Sequence, residues 1–132
     1  MNITSKQEEI TTGKNELFAF LEDLTNYKQL MPDQITDWEA GKERFRFSVP
    51  GMAEIGMKLA DVKRHERVVL SANGKVPFNF SLTFQITAGD ESQQAHIEFA
   101  GDVPAMLSMM AKKPLQNLID HMISSLSQHF RD

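Results

Sequence analysis

The groups in this chain that could do chemistry are few, and their spacing argues against most of it. Four histidines, at 65, 96, 121 and 129, are the side chains whose ordinary titration lies nearest neutrality. His65 stands in the charged run Arg64-His65-Glu66 and reads as a solvated turn residue. His121 falls on the polar side of the last apolar-striped segment. His129 lies near that segment's end, where a helix dipole favours a cation. His96 alternates with Ile97 and Phe99 and should face outward; with the phase reversed, His96 and Glu98 would enter the interior as an acid–base pair. Parity raises the same question for the first strand. Glu8 travels with Ile10 and Glu9 with Ile3, so one carboxylate follows whichever isoleucine turns inward. A carboxylate in an apolar interior must be paired or have its pKa raised. The alternative is a strand that frays at its start, with both charges in water.

Other chemistries have no residues to carry them. No His, Asp or Glu cluster has metal-ligand spacing, and there is no Gly-rich phosphate loop or serine nucleophile elbow. The chain has no cysteine, which excludes disulfides, thiolate catalysis and cysteine-ligated metals. No cofactor and no metal are implied.

The elements that must position these groups are mostly strands. Phe78, Phe80, Leu82, Phe84 and Ile86 alternate with small or polar residues, which gives a strand with one apolar face. The same period of two runs through Phe45, Phe47 and Val49, through Ala53, Ile55, Met57 and Leu59, through Val68, Leu70 and Ala72, and through Ala95, Ile97 and Phe99. Pro50-Gly51, Arg64-His65-Glu66, Asn73-Gly74 and Gly89-Asp90 mark turns between them. Residues 2–11 form a weakly patterned first strand, and Ile35–Ala40 one that carries Trp38. Between them lie two short helices, Glu16–Glu22 capped by Asn15 and Asn26–Leu30 capped by Thr25. The chain ends in a helix from Pro104 to Phe130, with a stripe at Leu115, Leu118, Ile119, Met122, Ile123, Leu126 and Phe130. Pro114 should kink or split this helix. Carried backwards, the stripe includes Leu107 and Ala111 but leaves Met106, Met109 and Met110 pointing elsewhere.

The expected class is α+β: a curved antiparallel sheet of about seven strands wrapped around one long C-terminal helix, with two short helices after the first strand, in a single domain over 1–132. Seven strands span roughly 30 Å. A helix is only about 10–12 Å across. The sheet must curl, and part of its apolar face is left for a guest. The side chains placed to line such a hollow are Tyr27, Met31, Trp38, Phe45, Phe47, Ile55, Met57, Phe80, Phe84 and Phe99, with Leu107, Ala111 and Leu115 from the helix. Tyr27 and Trp38 each bring a polar tip on an apolar body and are placed near the mouth to orient a head group. The competing reading is that aromatic rings and methionines fill the space themselves.

Those residues also resemble a known family. Glu16-Leu17-Phe18-Ala19-Phe20-Leu21-Glu22-Asp23-Leu24-Thr25-Asn26-Tyr27, then Leu30-Met31-Pro32, together with the strand order and final helix, are similar to the START-like, helix-grip superfamily. Within it the nearest resemblance is to small bacterial polyketide cyclase/dehydrase and lipid-transport-like (SRPBCC-type) proteins. The resemblance implies a hydrophobic cavity between sheet and helix. It implies no particular reaction, because such folds serve carriers, receptors and enzymes alike.

Three functions follow as alternatives. The first is a binder or carrier of a small lipid-, polyketide- or quinone-like molecule. The second is a cyclase/dehydrase-type enzyme with a cavity acid or base. The third is an interaction module, a homodimer or a protein complex formed through Met106, Met109 and Met110. A net charge of −4 with scattered basic residues argues against nucleic acid or an anionic membrane as the main partner. The polar N-terminus has no signal-peptide core, and no apolar run is long enough to cross a bilayer, so a cytoplasmic protein without stable membrane insertion is expected.

Overall fold

The computed structural model describes residues 1–48, 54–74, 76, 78–87, 89 and 91–131. The expectations for Val49, Pro50-Gly51, Ala53 and Asp90 fall outside these residues. The expected α+β layout is present. Eight antiparallel strands form one sheet: β1 (Asn2–Thr4), β2 (Glu8–Ile10), β3 (Thr36–Gly41), β4 (Arg44–Ser48), β5 (Glu54–Lys63), β6 (Arg67–Ala72), β7 (Phe80–Thr87) and β8 (Gln93–Gly101). Their order across the sheet is β1-β8-β7-β6-β5-β4-β3, with β2 also on β8. Helix α1 (Lys14–Glu22) and a 3-10 helix (Leu24–Leu30) follow β2, and α2 (Ala105–His129) closes the chain.

The eighth strand arises because the first expected strand is two. Ile3 pairs with Phe99 and Thr4 with Glu98, whereas Glu8 pairs with Ala95, so the register slips by one residue between them. Ser5 makes the slip possible. Its amide donates to the Ile97 carbonyl (2.8 Å), while its Oγ accepts from the Ile97 amide (2.7 Å), replacing a backbone acceptor with a hydroxyl. This bulge settles the parity question. Ile3 and Ile10 lie an odd number of residues apart, yet both are buried. Glu8 is half-buried at the sheet margin, and Glu9 is exposed.

The bulged strands hold α2 in place. Gln116 Nε2 donates to the Thr4 carbonyl (3.0 Å), the Lys6 amide to Asp120 Oδ1 (2.9 Å), and Ser127 Oγ to the Glu9 carbonyl (2.8 Å). From 116 to 127 a helix rises about 16 Å, and from 4 to 9 a strand advances about the same distance. The helix therefore runs alongside β1 and β2. By the same rise, Ala111 comes roughly level with Asn2, and Ala105–Met110 overhang the end of the strand. Pro114 neither splits nor ends the helix. The proline removes one amide donor, and the carbonyl it leaves unpaired, at Met110, belongs to a stretch open to water.

The caps differ from expectation. Asn15 lies inside α1, whose N-cap is Gly13, and Thr12 Oγ1 donates to Glu16 Oε2 (2.9 Å). Asp23, not Thr25, caps the 3-10 helix and accepts from both the Thr25 amide and hydroxyl. The two short helices are locked together by Asn26 Nδ2 donating to the Phe20 carbonyl (3.0 Å) and by the Tyr27 hydroxyl donating to the Leu21 carbonyl (2.8 Å). They cover the end of the sheet where the β5–β6 turn lies. There Arg64 pairs with Glu22 (3.0 Å), while His65, at φ 73°, reaches Asn15 (3.2 Å) and sets its ring edge-on to Phe18 (5.9 Å).

Two outcomes follow. Ser5→Ala leaves the Ile97 amide without its acceptor and should cost about 1–3 kcal/mol in urea unfolding, with faster exchange of the Ile97 amide; an unchanged midpoint would contradict the bulge. Burial also raises the Tyr27 phenol well above its usual 10.0. The stability that comes with its protonated form is complete below that value and is lost as pH climbs beyond it. Tyr27 is the sole tyrosine, so alkaline titration of the folded protein should show no phenolate absorbance at the usual pH, only a step coincident with unfolding. An ordinary phenolate step in folded protein would contradict this burial.

Candidate functional site: the apolar interior under helix α2

Strand register sorts the inner face into two ends. One end holds the β5–β6 turn, α1 and the 3-10 helix. The other collects Phe47 opposite Ile55, Ser71 opposite Ser81 and Phe80 opposite Gly101, and it is the end from which α2 begins. The principal contacts of α2 are with β1, β2, β8 and the 3-10 helix. Its buried residues start at Leu115. Before that, Leu107 is 40% exposed, and Met106, Met109 and Met110 are 74–89% exposed.

The inner face between these ends is aromatic. Trp38 stacks on Phe45 (5.0 Å) and Phe47 (6.0 Å), and Phe45 in turn lies against Tyr27 (5.5 Å). Phe84 meets Tyr27 edge-on (5.8 Å). A second group, Phe78, Phe80 and Phe99, sits at the α2-start end, with Phe80 stacked on Phe99 at 5.6 Å. Gly101 lies close beside it: a Cβ there would come within 3.0 Å of the Phe99 ring and 3.1 Å of Phe80 Cβ, so the rings would have to shift slightly to admit one.

Of the side chains expected to line a hollow, Tyr27, Met31, Phe45, Phe47, Ile55, Met57, Phe80, Phe84, Phe99 and Leu115 are all buried and share one apolar core. Trp38 and Ala111 are partly buried against it, and Leu107 is more open still. The mouth position expected for Tyr27 does not hold, since its ring is wholly enclosed and its proton is committed to Leu21. Trp38 is half-buried on β3, at the edge of the sheet. Sequence reasoning passed over Val76 and Val103, which pack partly exposed against the core. Both stand outside alternating runs and carry no periodic signal.

Charge stays on the other face. His96 is outside the core phase, 3.8 Å from Glu98, while Ala95, Ile97 and Phe99 are buried. Arg46 bridges Glu39 and Glu54 across β3, β4 and β5, and it borders a depression of about 340 Å³ with Glu39, Arg44 and Asn73. His129 stands over Phe20 (4.6 Å), and His121 is exposed. Among the described residues no three His, Asp or Glu side chains converge as a metal site, and no helix is long and apolar enough to cross a membrane. Among the described residues the buried side chains of this interior are apolar, apart from Tyr27 and a few uncharged polar groups at its margins.

No protein-family model matches the sequence, and no curated protein does either. Solved structures do match the fold. A START superfamily protein from Mycobacterium smegmatis superposes with a TM-score of 0.67 at 16% identity, over 98% of this chain and 97% of that one. Norcoclaurine synthase from Thalictrum flavum gives 0.75 at 13% identity, over 100% and 87%. KanY gives 0.79 at 9% identity, over 100% and 98%. With its antiparallel sheet, short helices after β2 and long C-terminal helix, the chain has the START-like helix-grip fold.

Proposed function

We propose that this protein binds a small hydrophobic molecule between the sheet and the first half of α2, as a carrier or binding protein. One observation supports this above others: the inner face is apolar and aromatic among the described residues, yet the helix that should cover it is fully buried only from Leu115 onward, with Ala111 half-buried before it. The guest enters at the α2-start end, past Trp38, Phe78 and the underside of the overhang at Leu107 and Ala111. Methionine and phenylalanine side chains such as Met57 and Phe80 move aside for it, which flexible thioethers and stacked rings allow. The same fold accommodates aromatic molecules elsewhere: one structure of norcoclaurine synthase holds dopamine and hydroxybenzaldehyde. Burial of apolar surface supplies the affinity, at about 25 cal/mol per Å² before the costs of ordering the ligand. A lipid-, polyketide- or quinone-like skeleton suits a lining of this kind, and the cytoplasm is where such a carrier is expected to work. An acid–base reaction has less to draw on, since His96 and Glu98 face outward and the Tyr27 proton is already bonded.

Native mass spectrometry of protein taken gently from its own cells should show a bound apolar molecule that organic extraction removes. Leu107→Asp, at a half-open position, should weaken rebinding of the extracted molecule about tenfold or more while leaving thermal unfolding nearly unchanged. Protein that is empty as isolated and takes up no cell-derived apolar compound would contradict the proposal.

A further inference from the structure

The first three turns of α2 carry a second apolar face that the interior cannot use. Met106, Met109, Met110 and Lys113 follow the spacing i, i+3, i+4, i+7 and share one side of the helix. At about 100° per residue, Met106 lies directly across the axis from Leu115, the first buried residue of the core stripe. No rotation of the helix buries both sides against the sheet. Beyond Pro114 the outward face turns polar at Asn117, His121 and Ser124. The methionine face is therefore confined to the overhang, where the three side chains stand 84%, 89% and 74% exposed.

We infer that this overhang docks the protein on an anionic lipid surface, with the methionines in the acyl boundary and Lys112 and Lys113 at the head groups. The local charge selects this occupant. From Val103 to Ile119 the chain has two lysines and no acidic residue, and neither lysine forms an ion pair among the described residues. The net −4 of the whole chain argues against anionic membranes only as an average; the tip has the opposite sign. A second copy fits less well, because a two-fold interface through this face would gather four lysines in one patch, with no carboxylate from Val103 to Ile119 of either copy to pair with them. A stable protein partner needs roughly 800 Å² on each side, and three methionines with part of a leucine fall well short of that. A bilayer demands no complementary shape. It accepts a few flexible apolar side chains beside lysines whose stems lie along the interface. This inference is independent of the cavity, since lipid docking requires no guest.

The test is flotation of the full chain with vesicles of phosphatidylcholine alone, or of phosphatidylcholine mixed with phosphatidylglycerol. The protein should float with the mixed vesicles and come off as salt rises. The double variant Met109→Glu, Met110→Glu should lose most of that binding, and Lys112→Glu with Lys113→Glu should lose the preference for phosphatidylglycerol. All four positions are exposed, so circular dichroism should be unchanged. No flotation of the unaltered chain, or equal flotation of the methionine variant, overturns the inference. So does a dimer in sedimentation velocity that the methionine variant returns to monomer, or a protein complex lost with the same variant.

Discussion

A single helix has to cover an eight-stranded sheet, and its attachment to one margin decides how much it covers. Three hydrogen bonds, joining Gln116, Asp120 and Ser127 to backbone groups of Thr4, Lys6 and Glu9 in β1, the bulge and β2, set α2 along the edge of the sheet. Because the rise of the helix matches the advance of the strands over that interval, the second half of α2 lies flush and buries its stripe. The first half is carried past the end of the strand. The covered end, the overhang and the exposed methionines all follow from where those bonds fall.

The separation of charge from the interior follows from the same layering. Strand alternation sends Arg46, Glu39, Glu54, His96 and Glu98 to the outer face, where ion pairs in water contribute little to stability. The inner face receives rings and aliphatic side chains that cannot titrate, apart from one tyrosine whose proton is tied to a carbonyl. Under the proposed function, such an interior would select a guest by shape and apolarity. Other proteins with this fold include an enzyme, so the architecture alone settles no chemistry; that depends on which side chains point inward.

Much of this was legible in the sequence. The alternation in β7 and β8 and the three-four spacing after Leu115 depend on side-chain periodicity alone, and burial enforces it. What escaped depends on hydrogen bonds. The slip at Ser5 turns on one hydroxyl standing in for a backbone acceptor, and no pattern of apolar residues announces that. The caps at Gly13 and Asp23 were missed because Asn15 and Thr25, equally good capping types, stand two residues further along. Pro114, expected to kink or split the helix, does not split it, because a missing donor costs less where water can reach the orphaned carbonyl. At the candidate site, aromatic identity and inward phase were readable. The enclosure of Tyr27 was not, because it depends on how α1 and the 3-10 helix fold over one another.

Hydrogen–deuterium exchange along α2 tests the central claim most directly, because it reads how firmly each turn of the helix is held. Amides from Leu115 to Leu126 should be protected nearly as well as those of β7 and β8, whereas those from Ser108 to Lys113 should exchange orders of magnitude faster. Uniform protection from one end of the helix to the other would show that α2 seals the whole sheet, leaving neither an entrance beneath the overhang nor a free tip above it.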